Sequence, residues 1–261
     1  MKGKALLSLA AFITAWEAAV RAGLLPHIIV PAPSDVALFL INPANARTIL
    51  TNLAWTAARA TAGFALGLAF GLAAGLLLSV KSINEYLMPI ATIFFAVPSI
   101  AWIPILIVWV GFREFELPVV ASFLSSFPPV LYGFVNAVRT MDPEQVGVAM
   151  VLGAKPSTVL RRIVIPQALL KTLPLIKTEA VVAWKTTFAA EMVALPTGLG
   201  ALAMTYATTL ETDGLIAVVA ILAAITLTIV QGLDALEKRV VRRWVGTHVK
   251  GVAEALTYTI T

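Results

Sequence analysis

Between Tyr86 and Phe112 the chain carries no Asp, Glu, Lys or Arg. Thr61 to Val80, Leu117 to Val138 and Gly214 to Leu233 share that property. A helix of about 20 mainly apolar residues crosses a hydrocarbon layer about 30 Å thick. In lipid, every backbone N–H and C=O must find its partner within the protein, so such runs fold as helices. Two further apolar segments are interrupted by charge: Ala5 to Leu25 by Glu17 and Arg21, and Leu173 to Pro196 by Lys177, Glu179, Lys185 and Glu191. These segments predict an all-α membrane protein. It has about six transmembrane helices, at about 5–25, 53–80, 86–111, 117–138, 173–196 and 214–235, in one domain over 1–261. Composition agrees, with 59% of residues apolar and only 13% charged, against about 25% charged in soluble domains. A soluble domain of this makeup would expose large apolar patches to water. Lys2 and Lys4 before an apolar stretch also suit a secretion signal, but Glu17 and the absence of a clear small-residue cleavage site favour a retained helix.

The net charge of +5 would suggest nucleic acid in a soluble protein. In a bilayer the same excess reports topology, because cytoplasmic loops collect Lys and Arg. With the N-terminus inside, thirteen of the nineteen basic residues fall on inner segments: Lys2, Lys4, Lys81, Arg139, Lys155, Arg161, Arg162, Lys171, Lys238, Arg239, Arg242, Arg243 and Lys250. Three (Arg21, Arg47, Arg113) fall outside, and Arg59, Lys177 and Lys185 lie within spans. Both termini are therefore expected in the cytoplasm of a multi-pass cell-membrane protein, whose partner is the lipid bilayer and not nucleic acid. The chain has no cysteine, which excludes disulfides, thiolate metal sites and Cys nucleophiles. His27 and His248 are far apart in sequence, so no metal or cofactor is expected.

Gly63, Gly67, Gly71 and Gly75 recur every four residues and share one helix face. They form a smooth groove that another backbone can approach closely, in this chain or in a second copy. The third span holds Pro89, Pro98 and Pro104, and the fourth holds Pro118, Pro128 and Pro129. Proline removes a backbone donor and bends a helix, and in membranes such breaks face protein or a wet cavity. The region around Pro98, Ser99 and Trp102 suits either a pathway lining with a moving gate or a static kink.

The inner segment at about 139–172 is too polar to span. Asp142-Pro143 reads as an N-cap followed by proline in the first turn of a helix to Leu152. Gly153-Ala154-Lys155-Pro156-Ser157 follows, then a second short amphipathic helix to about Ile165, with Arg161 and Arg162 on its wet face. Such a pair suits docking to another protein or rest on lipid.

This segment resembles the EAA loop of ABC importer permeases. Ala149 matches the second alanine of that signature, Gly153 the glycine four positions later, and Ile163-Val164-Ile165-Pro166 the Ile-x-Leu-Pro ten further on. Gly147 stands where the acid is expected, Val148 replaces the first alanine and Ile165 the leucine. The likeness extends to Pro31–Val36, Arg59 through Gly63-Phe64 and Gly67, Ala101–Pro104 with Trp109 and Gly111, Ala183-Trp184, Ala190-Glu191, Gly198-Leu199-Gly200, and Thr212-Asp213, Gly232, Asp234 and Arg239 to Trp244. Together these resemble the nitrate/sulfonate/taurine group of binding-protein-dependent permeases. The resemblance implies a type I ABC importer transmembrane domain (MetI-like) with a cytoplasmic coupling helix. It implies a second permease copy (a homodimer), an extracytoplasmic solute-binding protein and separate ABC ATPase subunits. The substrate would be a small anion or, in related branches, a pyrimidine or flavin precursor. It further implies that Ala149, Gly153, Ala154, Lys155, Pro156, Arg161, Ile163, Ile165 and Pro166 form the ATPase-coupling loop. The sequence holds no G-x-x-x-x-G-K-[ST], so it has no Walker A loop for ATP and is read as a transport subunit, not an enzyme.

Lys177, Trp184 and Glu191 are seven residues apart, nearly two turns, and share a face. Lys185 lies near mid-span, about 100° from Trp184. Ionisable groups in a span face the bundle interior or a wet cavity. Trp184, Lys185, Thr186, Thr187 and Glu191 are therefore expected to border the translocation pathway, with Lys185 attracting an anion. The plainer reading pairs Lys185 structurally, for instance with Glu179. Gly198-Leu199-Gly200-Ala201-Leu202-Ala203 imitates a dinucleotide fingerprint but follows a membrane helix instead of a strand. An ion-coupled secondary carrier is the competing class. Carriers show internal repeats and midplane acids, and the charge-free spans offer neither.

Overall fold

Helix follows helix through the computed structural model. It describes residues 2–79 and 81–259, with side chains at 4, 7–79 and 84–239, and no strand occurs among the described residues. Lys2, Lys81, Arg242, Arg243, His248 and Lys250 lie outside the described side chains. The order is α1 (Lys2–Arg21), α2 (Pro33–Ile41), α3 (Pro43–Leu78), α4 (Lys81–Ala96), a 3-10 turn (Ser99–Trp102), α5 (Ile103–Val110), α6 (Glu116–Arg139), α7 (Pro143–Val151), α8 (Pro156–Val159), a π turn (Leu160–Val164), α9 (Ile165–Ala194), α10 (Leu199–Thr209) and α11 (Thr212–Thr259).

Among the described residues α3, α6 and the Thr212–Arg239 part of α11 are each long and apolar enough to cross a membrane. Two bent pairs, Asn84–Ala96 with Ser99–Val110 (92°) and Pro156–Ala194 with Leu199–Thr209 (49°), have the length and composition of spans when each pair is taken together, which brings the described residues to up to five. The first expected span falls on α1, part of whose side chains lie outside the described ones. Within the third expected span the helix is interrupted at Val97-Pro98, in the region where the prolines predict a kink. The helices continue through Pro89, Pro128, Pro129 and Pro174, so of the flagged prolines it is Pro98 that accompanies the break. One expectation needs correction. The second coupling-loop helix does not end before Pro166 but runs on into the fifth span. Pro166 has no N–H to give the Arg162 carbonyl. The π turn sits at that gap, with the Ile165 N–H donating to the Leu160 carbonyl.

The chain forms two compact units. The first comprises Met1–Ala62, Ile100–Ala121 and Trp184–Ile225. Its core joins Ile49 of α3, Leu199, Ala203 and Tyr206 of α10 and Val218 of α11, with Phe39 of α2 set edge-on to Tyr206 at 5.6 Å. The α1–α2 corner is closed by charge. Glu17 accepts hydrogen bonds from the Ser34 hydroxyl (2.7 Å) and N–H (3.0 Å), and Arg21 reaches Asp35 at 3.0 Å. The His27 ring, 2.8 Å from Asp35, and then Arg21 hold the Asp35 carboxyl below the usual carboxylate range.

The second unit comprises Gly63–Ser99, Ser122–Ala183 and Thr226–Thr261. Here the glycine stripe finds its partner within the chain. A Cβ on Gly67, Gly71 or Gly75 would lie 2.8 Å from Ser126 Cβ, 2.9 Å from Val130 Cβ or 3.0 Å from Phe134 Cβ. The α6 residues also step by four, so two i, i+4 ridges mesh along their length. Leu78, Leu131 and Val135 form the core beside this seam, and Phe134, Ala137 and Ala168 extend it to α9. Phe12, Leu50, Phe70, Ile93, Val108 and Leu227 point outward and exposed, as surfaces bathed in lipid require.

Candidate functional site

The segment expected to form the coupling loop, at about 139–172, lies in the second unit. Asp142 caps α7 by accepting from the Glu144 N–H at 2.9 Å, as its position before Pro143 predicts. At the other end Gly153 takes φ +87°. Its N–H donates to the Met150 carbonyl and that of Ala154 to the Ala149 carbonyl, both at 3.0 Å, which is a Schellman stop. A Cβ at Gly153 would meet open space, so the glycine is required for its backbone angle. Gln167 donates to Gln145 at 3.0 Å, and Lys171 to the Thr140 carbonyl at 2.9 Å, tying the loop to α9. Val148, Met150, Val151 and Leu152 remain exposed, Val151 to 88%. An apolar cluster on a helix end outside the spans is a surface awaiting cover. Gly147, at the missing acid's position, is exposed, with nothing near a Cβ.

The fifth-span residues divide between the units. Lys177, in the second, pairs with Asp234 (2.7 Å) and Glu237 (2.6 Å) of α11. Pro98 and Ser99 line a cavity of about 170 Å³ with Phe94, Phe95, Ser125 and Glu179. Trp102, Trp184, Lys185, Thr186, Thr187 and Glu191 belong to the first unit. Of these, Trp184, Thr186, Thr187 and Glu191 are buried, Trp102 is half-buried and Lys185 is exposed. Glu179, in the second unit, is buried, and its Oε2 has no hydrogen-bond partner.

Glu191 is the centre of a network that sequence reasoning missed. It and Arg59 are wholly buried, 2.9 Å apart. Thr56 donates to Glu191 at 2.7 Å, and Arg59 also holds the Thr197 carbonyl (2.8 Å) and hydroxyl (2.6 Å). The guanidinium lies over the Trp55 ring, 5.1 Å from its centroid. The first N–H groups of α10 are capped from elsewhere in the unit. Gly198 donates to Asn52 (2.7 Å), Leu199 to Thr56 (2.8 Å) and Gly200 to Glu191 (3.1 Å). The N-cap, Gly198, has no side chain to do this itself. A Cβ on Gly198 would collide with the Glu191 carboxyl and one on Gly200 with the Phe188 carbonyl, and Gly198 sits at φ +108°. The Gly-Leu-Gly run is thus a packed helix start. Asn52, Thr56 and Arg59, at i, i+4 and i+7 of an apolar helix, form one polar stripe that signals a buried partner.

The family of binding-protein-dependent transport system inner membrane components matches residues 67–245. The chain belongs to this family. It is an inner-membrane permease component of a transport system. The taurine transport system permease protein TauC of Escherichia coli (strain K12) is 28% identical over 241 residues, covering 89% of this chain and 86% of TauC. The riboflavin transport system permease protein RibX of Chloroflexus aurantiacus is 30% identical over 233 residues, covering 87% and 85%. Among solved structures, an inward-facing form of the MetNI methionine ABC transporter gives a TM-score of 0.66 at 19% identity, covering 77% of this chain and 99% of that one. That likeness speaks for the fold: a MetI-like importer transmembrane domain.

Proposed function

We propose that this permease forms the translocation pathway of an ATP-driven importer. A second identical copy completes the pathway, an extracytoplasmic binding protein delivers the solute, and both termini lie in the cytoplasm. Separate ATPase subunits receive α7. The observation that carries this reading is the exposed apolar end of α7, fixed in place by the Asp142 cap and the Gly153 stop. A rigid helix end transmits displacement where a flexible one would absorb it. Replacing both Val151 and Leu152 with Asp leaves the fold alone, since neither side chain is buried. The variant is expected to lose co-purification with its ATPase and nucleotide-dependent uptake in membrane vesicles. Uptake at the wild-type level, or uptake that persists after ATP is exhausted, overturns the reading.

The solute favoured is a small sulfonate-like anion, attracted by the exposed, mid-span Lys185. The taurine relative supports that class, and the riboflavin relative supports a vitamin-precursor permease as the second reading. Lys185→Met is expected to reduce taurine uptake by at least about tenfold, on the scale of a charge-assisted hydrogen bond, with assembly intact. Unchanged uptake removes the anion role.

A further inference from the structure

The cavity beside Pro98 holds a buried carboxyl group with an unpartnered oxygen. Glu179 lies midway along α9, is 6% exposed, and its Oε2 has no partner. A carboxylate in such surroundings is retained against a large desolvation cost unless a positive or donating group visits it. The α6 part of the wall offers acceptors. Pro128 and Pro129 lie inside α6 and have no N–H to give the carbonyls four residues back, those of Leu124 and Ser125. Both of these residues line the cavity. The Ser125 hydroxyl spends its proton on the Ser122 carbonyl at 2.8 Å, which leaves its oxygen as an acceptor. Phe94 and Phe95 supply aromatic rings, the latter braced against Tyr132 at 5.1 Å. A wall that combines acceptors with aromatic rings suits an organic cation. A bare metal ion takes a fuller shell of oxygens.

We propose that this cavity binds the ammonium group of a small organic solute. Glu179 supplies the counter-charge, the Leu124 and Ser125 carbonyls accept its N–H groups, and Phe94 and Phe95 flank it. The proposal rests on the permease reading and refines its substrate class: the solute carries a cationic end whatever its other end bears.

Dicyclohexylcarbodiimide, which attacks shielded carboxyl groups, tests this without transport. Membranes containing the full chain are treated with the reagent and the Glu179 peptide is followed by mass spectrometry, with Glu179→Gln as the unlabelled control. Ethanolamine and taurine, which carry an ammonium, are expected to slow labelling about tenfold at about ten times their Kd. Isethionate, which replaces that ammonium with a hydroxyl, is expected to have no effect. Failure to label Glu179 overturns the proposal, and so does equal protection by isethionate or by sodium or potassium ions alone. None of these outcomes touches the permease reading, which stands or falls on ATPase co-purification.

Discussion

Glu191→Ala is expected to destabilise the protein by about 3–5 kcal/mol, the usual cost of removing one partner from a buried ion pair. The guanidinium of Arg59 would remain wholly buried with no carboxylate to offset its desolvation. The Gly200 N–H and the Thr56 hydroxyl lose their acceptor in the same step. Glu191→Gln keeps the shape and part of the bonding but still leaves the Arg59 charge uncompensated. Removing both charges, with Arg59→Met and Glu191→Leu together, should recover much of the loss, because the penalty lies in the lone charge and not in a missing attraction. Thermal unfolding of the detergent-purified variants measures this. A Glu191→Ala protein within about 1 kcal/mol of wild type, the scale of an exposed pair, would show that the pair does not hold the unit together.

How far these sites could be read beforehand differs from residue to residue. Helical periodicity put Lys177, Trp184 and Glu191 on one face but said nothing of their partners. Arg59, Thr56 and Asn52 lie over 130 positions from Glu191 in sequence, and no local rule spans that distance. The ends of α7 were legible, because an N-cap with proline and a C-terminal glycine act within a few residues. The kink at Pro98 is legible from its proline, yet why the helix continues through Pro89 and not through Pro98 depends on what replaces the lost hydrogen bond, a tertiary matter. Pro166 read as a stop for the same reason, and the π turn before it carries the helix on. Glu179 was visible as a charge in a span. Its lack of a partner was not, because emptiness is a property of packing.

The glycine stripe sits between these cases, and its partner sets the second large effect. Gly71→Ile is expected to prevent recovery of monodisperse protein. A Cβ at 71 already falls 2.9 Å from both Val130 Cβ and Cγ1 and 3.0 Å from the Phe127 carbonyl. No side-chain rotation relieves a clash made by the Cβ itself, so α3 and α6 must move apart in this unit. Overpacking of this kind costs about 1–3 kcal/mol for modest insertions and more for a branched side chain. Parting the helices also sacrifices the close van der Waals contact that holds membrane helices together. Gly147→Ala is the control. It lies inside a helix, is exposed, and has nothing within 4 Å of its Cβ, so helix propensity alone should stabilise it by up to about 1 kcal/mol. Opposite signs at 71 and 147 would identify the α6 surface as the cause. Equal unfolding temperatures for Gly71→Ile and wild type would mean that the α3–α6 seam is not tight.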